Sequence, residues 1–156
     1  MPITPDRSIL CDTNVVSRTV NPGDGQHSLV SQTVLDLLNA GYRMVYAPQT
    51  LREFWNVATR PGSVNGLGLS VVQTDALARQ IETAFDLLSD TDAMHTLWRR
   101  LVVEHEVRGV QVHDARLASL ALAGECQAVL TLNDPDFRRY GVEALHPRDV
   151  STFLTS

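Results

Sequence analysis

A chain of 156 residues, 44% hydrophobic and 20% charged, is long enough to bury roughly two thirds of its unfolded surface, and its balance fits one soluble globular domain over residues 1–156 rather than a disordered chain. A net charge of −5 argues against a general nucleic-acid binder that grips phosphate through a basic surface, while leaving room for local basic patches around an acidic pocket. No apolar run approaches the eighteen or so residues that cross a bilayer, and the opening MPITPD lacks the order of a secretion signal, so a cytoplasmic location without membrane contact is expected.

Residues 8–11 read as a short buried strand, and residues 28–39 as a helix with Leu29, Val30, Val34, Leu37 and Leu38 on its apolar stripe, ended by Gly41. Residues 43–46 form a second strand. Pro48 then opens a helix that Pro61 stops. The glycine-containing piece 62–70 is loop, and with no strand before it a phosphate cradle is a weak reading. A helix over 71–84, a short strand within 85–88, an amphipathic helix over 91–107 and an alanine-rich helix over 112–123 follow. Met94, Trp98 and Leu101 fit the core stripe of the third of these. Residues 127–132 make a buried strand, NDPD at 133–136 a turn, 142–145 a last strand, and a helix follows Pro147. Cys11 and Cys126 stand alone in apolar segments, unpaired for zinc or redox exchange, and read as buried thiols. Strands alternating with helices indicate a parallel sheet covered on both faces.

In such sheets ligands bind beyond the carboxyl ends of the strands, and the acids gather there. Asp12 directly follows the first strand, Asp134 and Asp136 follow the 127–132 strand, and Glu53 lies one turn into the helix after the second. Asp114 shares a helix face with Leu117, Ala118, Ala121 and Leu122 and should point inward. Each acid also has an ordinary reading: Asp12 as a helix cap, Glu53 as a solvated charge, Asp114 as a complement to the helix dipole, Asp134 and Asp136 as turn formers. Taken together, those readings require four unrelated coincidences at one end of one sheet. Crowded carboxylates stay ionised only if a cation neutralises them, and all-oxygen ligands suit Mg²⁺ or Mn²⁺ rather than zinc. Only His113 of the five histidines adjoins these acids, and it reads as structural. No nucleophile motif is present.

The set formed by DTN at 12–14, Glu53 in LREFWNVATRP, Asp114 in VHDARLA and TLNDPDF at 131–137 resembles a PIN-domain ribonuclease of the VapC toxin type, from residue 8 to about 150. The resemblance implies a three-layer α/β/α sandwich with a short, mainly parallel sheet and a metal-dependent endoribonuclease. It implies Asp12 and Asp114 as principal Mg²⁺ ligands, with Glu53 completing the cluster and Asn14 supporting it by hydrogen bonds. For the fourth acid, counting from Thr131 selects Asn133, counting back from Phe137 selects Asp136, and Asp134 lies between. Two ions about 3.5–4 Å apart can activate water and stabilise a leaving oxygen; one tight ion and one weaker ion is the preferred arrangement here. Arg52, Arg60, Arg116, Arg138 and Arg139 are candidates for RNA phosphate contacts. A small antitoxin partner and a homodimer are implied as well. The alternatives are a catalytically silent metal-binding module that acts by protein or RNA binding, and a hydrolase of phosphorylated small molecules. The second lacks the expected DxD pair because Asn14 stands at its second position.

Overall fold

A computed structural model describes residues 7–156; the MPITPD segment lies outside the described residues. Five parallel strands form one sheet in the order β3-β2-β1-β4-β5, with β1 Ser8–Cys11, β2 Arg43–Tyr46, β3 Asp86–Leu87, β4 Ala128–Leu130 and β5 Ala144–Leu145. The helices are α1 Thr13–Thr19, α2 His27–Asn39, α3 Pro48–Thr59, α4 Val71–Ala84, α5 Asp92–Glu104, α6 Gln111–Ala123, α7 Pro135–Arg138 and α8 Val150–Thr155. Among the described residues none is long and apolar enough to cross a membrane.

Period-two alternation within the strands divides the core in two. Ile9, Cys11, Met44, Tyr46 and Leu130 pack with α1 to α4 and α8 on one face. Leu10, Val45 and Val129 pack with α5, α6 and α7 on the other. Because both faces are covered, β1 is buried along its whole length and reads as an apolar run instead of an amphipathic one. Each such fully buried aliphatic side chain contributes about 1.5–3 kcal/mol.

Local chemistry sets the helix ends. Asp12 caps α1, Ser70 and Gln73 form a reciprocal capping box on α4, and Pro48 opens α3. Gly41, at φ +93, lets the Tyr42 amide close onto Leu37 O at 3.0 Å after α2.

Several expectations are corrected. The stripe of α2 is Val30, Thr33, Val34 and Leu37, whereas Leu29 and Leu38 lie on its flanks, 44% and 41% exposed. Strand β4 stops at Leu130, because the Leu132 amide leaves the ladder for the Asn14 side chain at 3.2 Å. NDPD is not a free turn: Pro135 and Asp136 form the first turn of α7. The fifth strand has two residues rather than four, and α5 ends at Glu104, where the chain reverses through Glu106 at φ 49. Cys126 is half-buried, not buried.

The strand order places a switch between β1 and β4. After β1 the chain turns to α1 on the first face, and after β4 it turns to α7 on the second. The departing connections part there, leaving a crevice beyond the two strand ends.

Candidate active site

Asp12 stands at that crevice, 7% exposed. Its Oδ1 accepts from the Thr13 amide at 2.7 Å, and its Oδ2 accepts from Thr131 Oγ1 at 2.8 Å and Asn14 Nδ2 at 3.3 Å. Asn14 in turn accepts the Leu132 amide, so one side chain ties the end of β1 to the segment after β4. Thr131 Oγ1 also accepts the Asn133 amide at 3.0 Å. Burial drives the Asp12 carboxyl above its ordinary range; the bonds from Thr131 and Thr13 oppose the rise, and the charges of Glu53 and Asp136 add to it.

Glu53, on the second turn of α3, is held at both oxygens. Oε2 accepts Thr13 Oγ1 at 2.7 Å and Oε1 accepts Gln49 Nε2 at 2.7 Å. The same Gln49 amide reaches the His113 carbonyl at 3.2 Å and so spans α3 and the start of α6, where Asp114 sits in the first turn. Asp114 is half-buried and pushed up to about 6, first by burial and then by the charges of Asp12, Asp136 and Glu53, with His113 opposing. Asp136 is exposed on α7. Four carboxylates from four separate segments therefore act on one another.

Of the three residues considered for the fourth acid, Asp136 is the one whose charge acts on Asp12 and Asp114. Asn133 is exposed and joins the network through its backbone amide. Asp134 does not support the cluster: it is 3% exposed and faces Arg138 and Arg148. Arg138 is thereby committed to Asp134. Arg60 folds over the loop after α3, donating to Asn65 O at 2.9 Å, and Arg139 is tied to Gln111 and Tyr140. Arg52 and Arg116 do remain beside the acids, lining with Gln49, Glu53, Asn56 and His113 a cavity of about 560 Å³, in which Arg116 pairs with Asp90 at 3.0 Å. Thr13, Gln49 and Thr131 were not assigned roles from sequence. Their hydroxyl and amide types were visible, but their pairing across 40 to 119 positions was not.

No Arg or Lys forms an ion pair with Asp12, Glu53, Asp114 or Asp136 among the described residues. The donor set is all oxygen and its negative charge is unbalanced, which fits a hard divalent cation. Among the described residues no three Asp, Glu, His or Cys side chains enclose an ion by themselves. Mg²⁺ does not require such a cage, since it characteristically takes one or two carboxylates and fills the remaining positions with water and phosphate.

A family model, the PIN domain, matches residues 9–143, and the chain belongs to that family. No curated relative matches it in sequence. Among solved structures it is similar to VapBC2 from Rickettsia felis, bound to a DNA fragment from its promoter, at 16% identity and a TM-score of 0.68 over 89% of this chain and 98% of that one. FitAcB from Neisseria gonorrhoeae matches at 20% identity and TM-score 0.63 over 90% and 98%. VapC20 from Mycobacterium tuberculosis, a sarcin-ricin loop cleaving toxin, matches at 18% and 0.63 over 88% and 98%. What these likenesses share with the chain is the fold.

Proposed function

We propose that the protein is a metal-dependent endoribonuclease, the toxin of a toxin-antitoxin pair. The observation that carries this reading is the set of carboxylates Asp12, Glu53, Asp114 and Asp136, in which burial and then like charge raise Asp12 and Asp114 and none of which forms an ion pair among the described residues. Asp12 and Asp114 would hold Mg²⁺, or Mn²⁺, with Glu53 and Asp136 completing the set. A bound ion supplies Lewis-acid activation of water and charge stabilisation at the leaving oxygen of a phosphodiester.

The protein's own groups do the positioning. Thr131, Thr13 and Asn14 fix the Asp12 carboxylate. Gln49 and Thr13 fix Glu53. Arg52 and Arg116, on the wall of the cavity that holds Glu53, would meet a substrate phosphate. An antitoxin partner is proposed on the ground that the similar VapBC structures are of such pairs; homodimerisation and action on RNA in the cytoplasm belong to the same proposal.

The purified protein should cut single-stranded or structured RNA with Mg²⁺ and stop in EDTA. Undiminished cutting by both Asp12→Ala and Asp114→Ala would refute the site. A second reading, a silent module that binds metal without turnover, would use the same acids. A thermal shift with Mg²⁺ in the absence of any RNA or DNA turnover would establish it instead.

A further inference from the structure

A second pocket opens on the same edge of the sheet. Tyr46 ends β2, Leu87 ends β3 and Pro48 begins α3; together with Arg52, Trp55 and Glu82 they line a cavity of about 370 Å³. Its size and its mainly apolar, aromatic lining with two charged groups are those of a small-ligand site. Arg52 belongs to its wall and to the wall of the cavity holding Glu53, so the two are neighbours through one guanidinium.

The chemistry of the lining narrows the occupant. Trp55 offers a half-buried indole face. Glu82, on α4, has no hydrogen bond or ion pair among the described residues, yet lies near enough to raise the Tyr46 phenol beyond the effect of burial. Stacking face, free acceptor and adjacent cation are the elements by which proteins take an unpaired nucleotide: the base lies on an aromatic plane, its edge meets a side chain, and its phosphate meets Arg. An ionised carboxylate can only accept, and among the bases guanine presents two adjacent N–H donors on its pairing edge. An acidic or purely aliphatic peptide would leave Glu82 or Arg52 unanswered.

Resting on the nuclease reading above, we propose that this pocket is a nucleobase subsite beside the cleavage centre, which holds one unpaired guanine of the substrate RNA on Trp55 and against Glu82, with Arg52 on its phosphate.

The test maps cuts in a randomised single-stranded RNA with Mg²⁺ for the parent, Trp55→Leu and Glu82→Gln. The parent should favour guanine at one fixed position from the cut. Glu82→Gln, which removes an exposed charge and no internal bond, should flatten that preference at least about fivefold. Trp55→Leu should raise KM about tenfold, the size of one lost base stack, with kcat within about twofold. If the parent cuts RNA and both variants keep its preference and KM, the subsite is overturned while the nuclease reading stands. If the parent cuts nothing, that reading fails and binding decides the subsite. Of the two tryptophans, Trp98→Phe leaves Trp55 as the sole indole. Quenching by a guanine-containing oligoribonucleotide but not by its abasic counterpart supports the subsite, and equal response to the two refutes it.

Discussion

Two aspartates are buried at the same edge of the sheet, and their surroundings answer their charges in opposite ways. Asp134, 3% exposed, faces Arg138 and, at 3.6 Å, Arg148. Asp12, 7% exposed, receives only neutral donors from Thr13, Asn14 and Thr131, while Glu53 and Asp136 press on it with like charge. A buried ion costs several kcal/mol unless it is paired. Asp134 has its pair within the chain and ties α7 to the turn before α8; Asp12 is oriented by dipoles and has no ion pair among the described residues. Burial alone therefore does not mark a functional acid. A buried acid with no ion pair among the described residues is the candidate.

The sharpest way to break that comparison is Asp12→Asn, which keeps the side-chain size and a residue that caps helices well while removing the charge. RNA cleavage should fall at least about a hundredfold, roughly 2.7 kcal/mol of barrier, with a circular dichroism spectrum like the parent's. Cutting within a few-fold of the parent would put Asp12 in the same structural class as Asp134.

Thr131→Val tests whether the neutral donors matter. It removes the 2.8 Å bond to Asp12 Oδ2, a hydrogen bond to a charged group worth about 1.5–3 kcal/mol. The expected result is a fall in kcat of about tenfold or more with little change in KM, and recovery in Thr131→Ser. If Val and Ser variants are equally active, the Asp12 carboxylate does not depend on that hydroxyl for its orientation.

Asp134→Asn should act on stability and leave the chemistry nearly alone. Arg138 and Arg148 are 62% and 60% exposed, so solvent takes back part of what they lose, and the expected cost is about 1–2 kcal/mol. Urea denaturation should show an earlier midpoint at unchanged slope. An unchanged midpoint, or a loss of cleavage matching that of Asp12→Asn, would contradict the division of roles.

How much of this was legible in the sequence depended on the distance over which each feature is set. Helix α4 falls on the expected residues 71–84 because a local device, the Ser70–Gln73 capping box, fixes its start. Asp12, Glu53 and Asp114 were visible because strand ends and helix starts are local patterns. The bonds from Thr13 to Glu53 and from Thr131 to Asp12 join segments 40 and 119 residues apart, and only the register of β1 against β4 brings the second pair together. Asp134 was left open with Asn133 and Asp136 for the fourth acid although Arg138 stands four residues on, the spacing of a helical ion pair; the NDP motif suggested a turn and concealed that helix. Arg60 was misplaced for a similar reason. Its place in the same segment as Glu53 made it a candidate for phosphate contact, while its guanidinium serves the loop to Asn65.

Asp114 offers the smallest effect and the clearest sign. Unlike Asp12, its side chain accepts no hydrogen bond among the described residues, and its carboxyl is raised to about 6 by burial and by Asp12, Asp136 and Glu53. The unfolded value is about 3.9, so between about pH 4 and 6 the folded metal-free protein holds a proton that the unfolded chain has released. Stability then falls as pH rises through 6. Because the group is half-exposed, screening reduces the full linkage to about 1 kcal/mol, roughly 2–4 °C in Tm for a chain of this size. Opposing this is the favourable position of an acid in the first turn of α6, worth about 0.3–1 kcal/mol. If repulsion outweighs the dipole, Asp114→Asn in EDTA melts higher than the parent at pH 7, and the gap narrows at pH 5 and closes near pH 4. Added Mg²⁺ should reverse the order by stabilising the parent more than the variant. A lower Tm for the variant at pH 7 would mean that the dipole wins and that Asp114 belongs, with Asp134, among the acids that hold the fold.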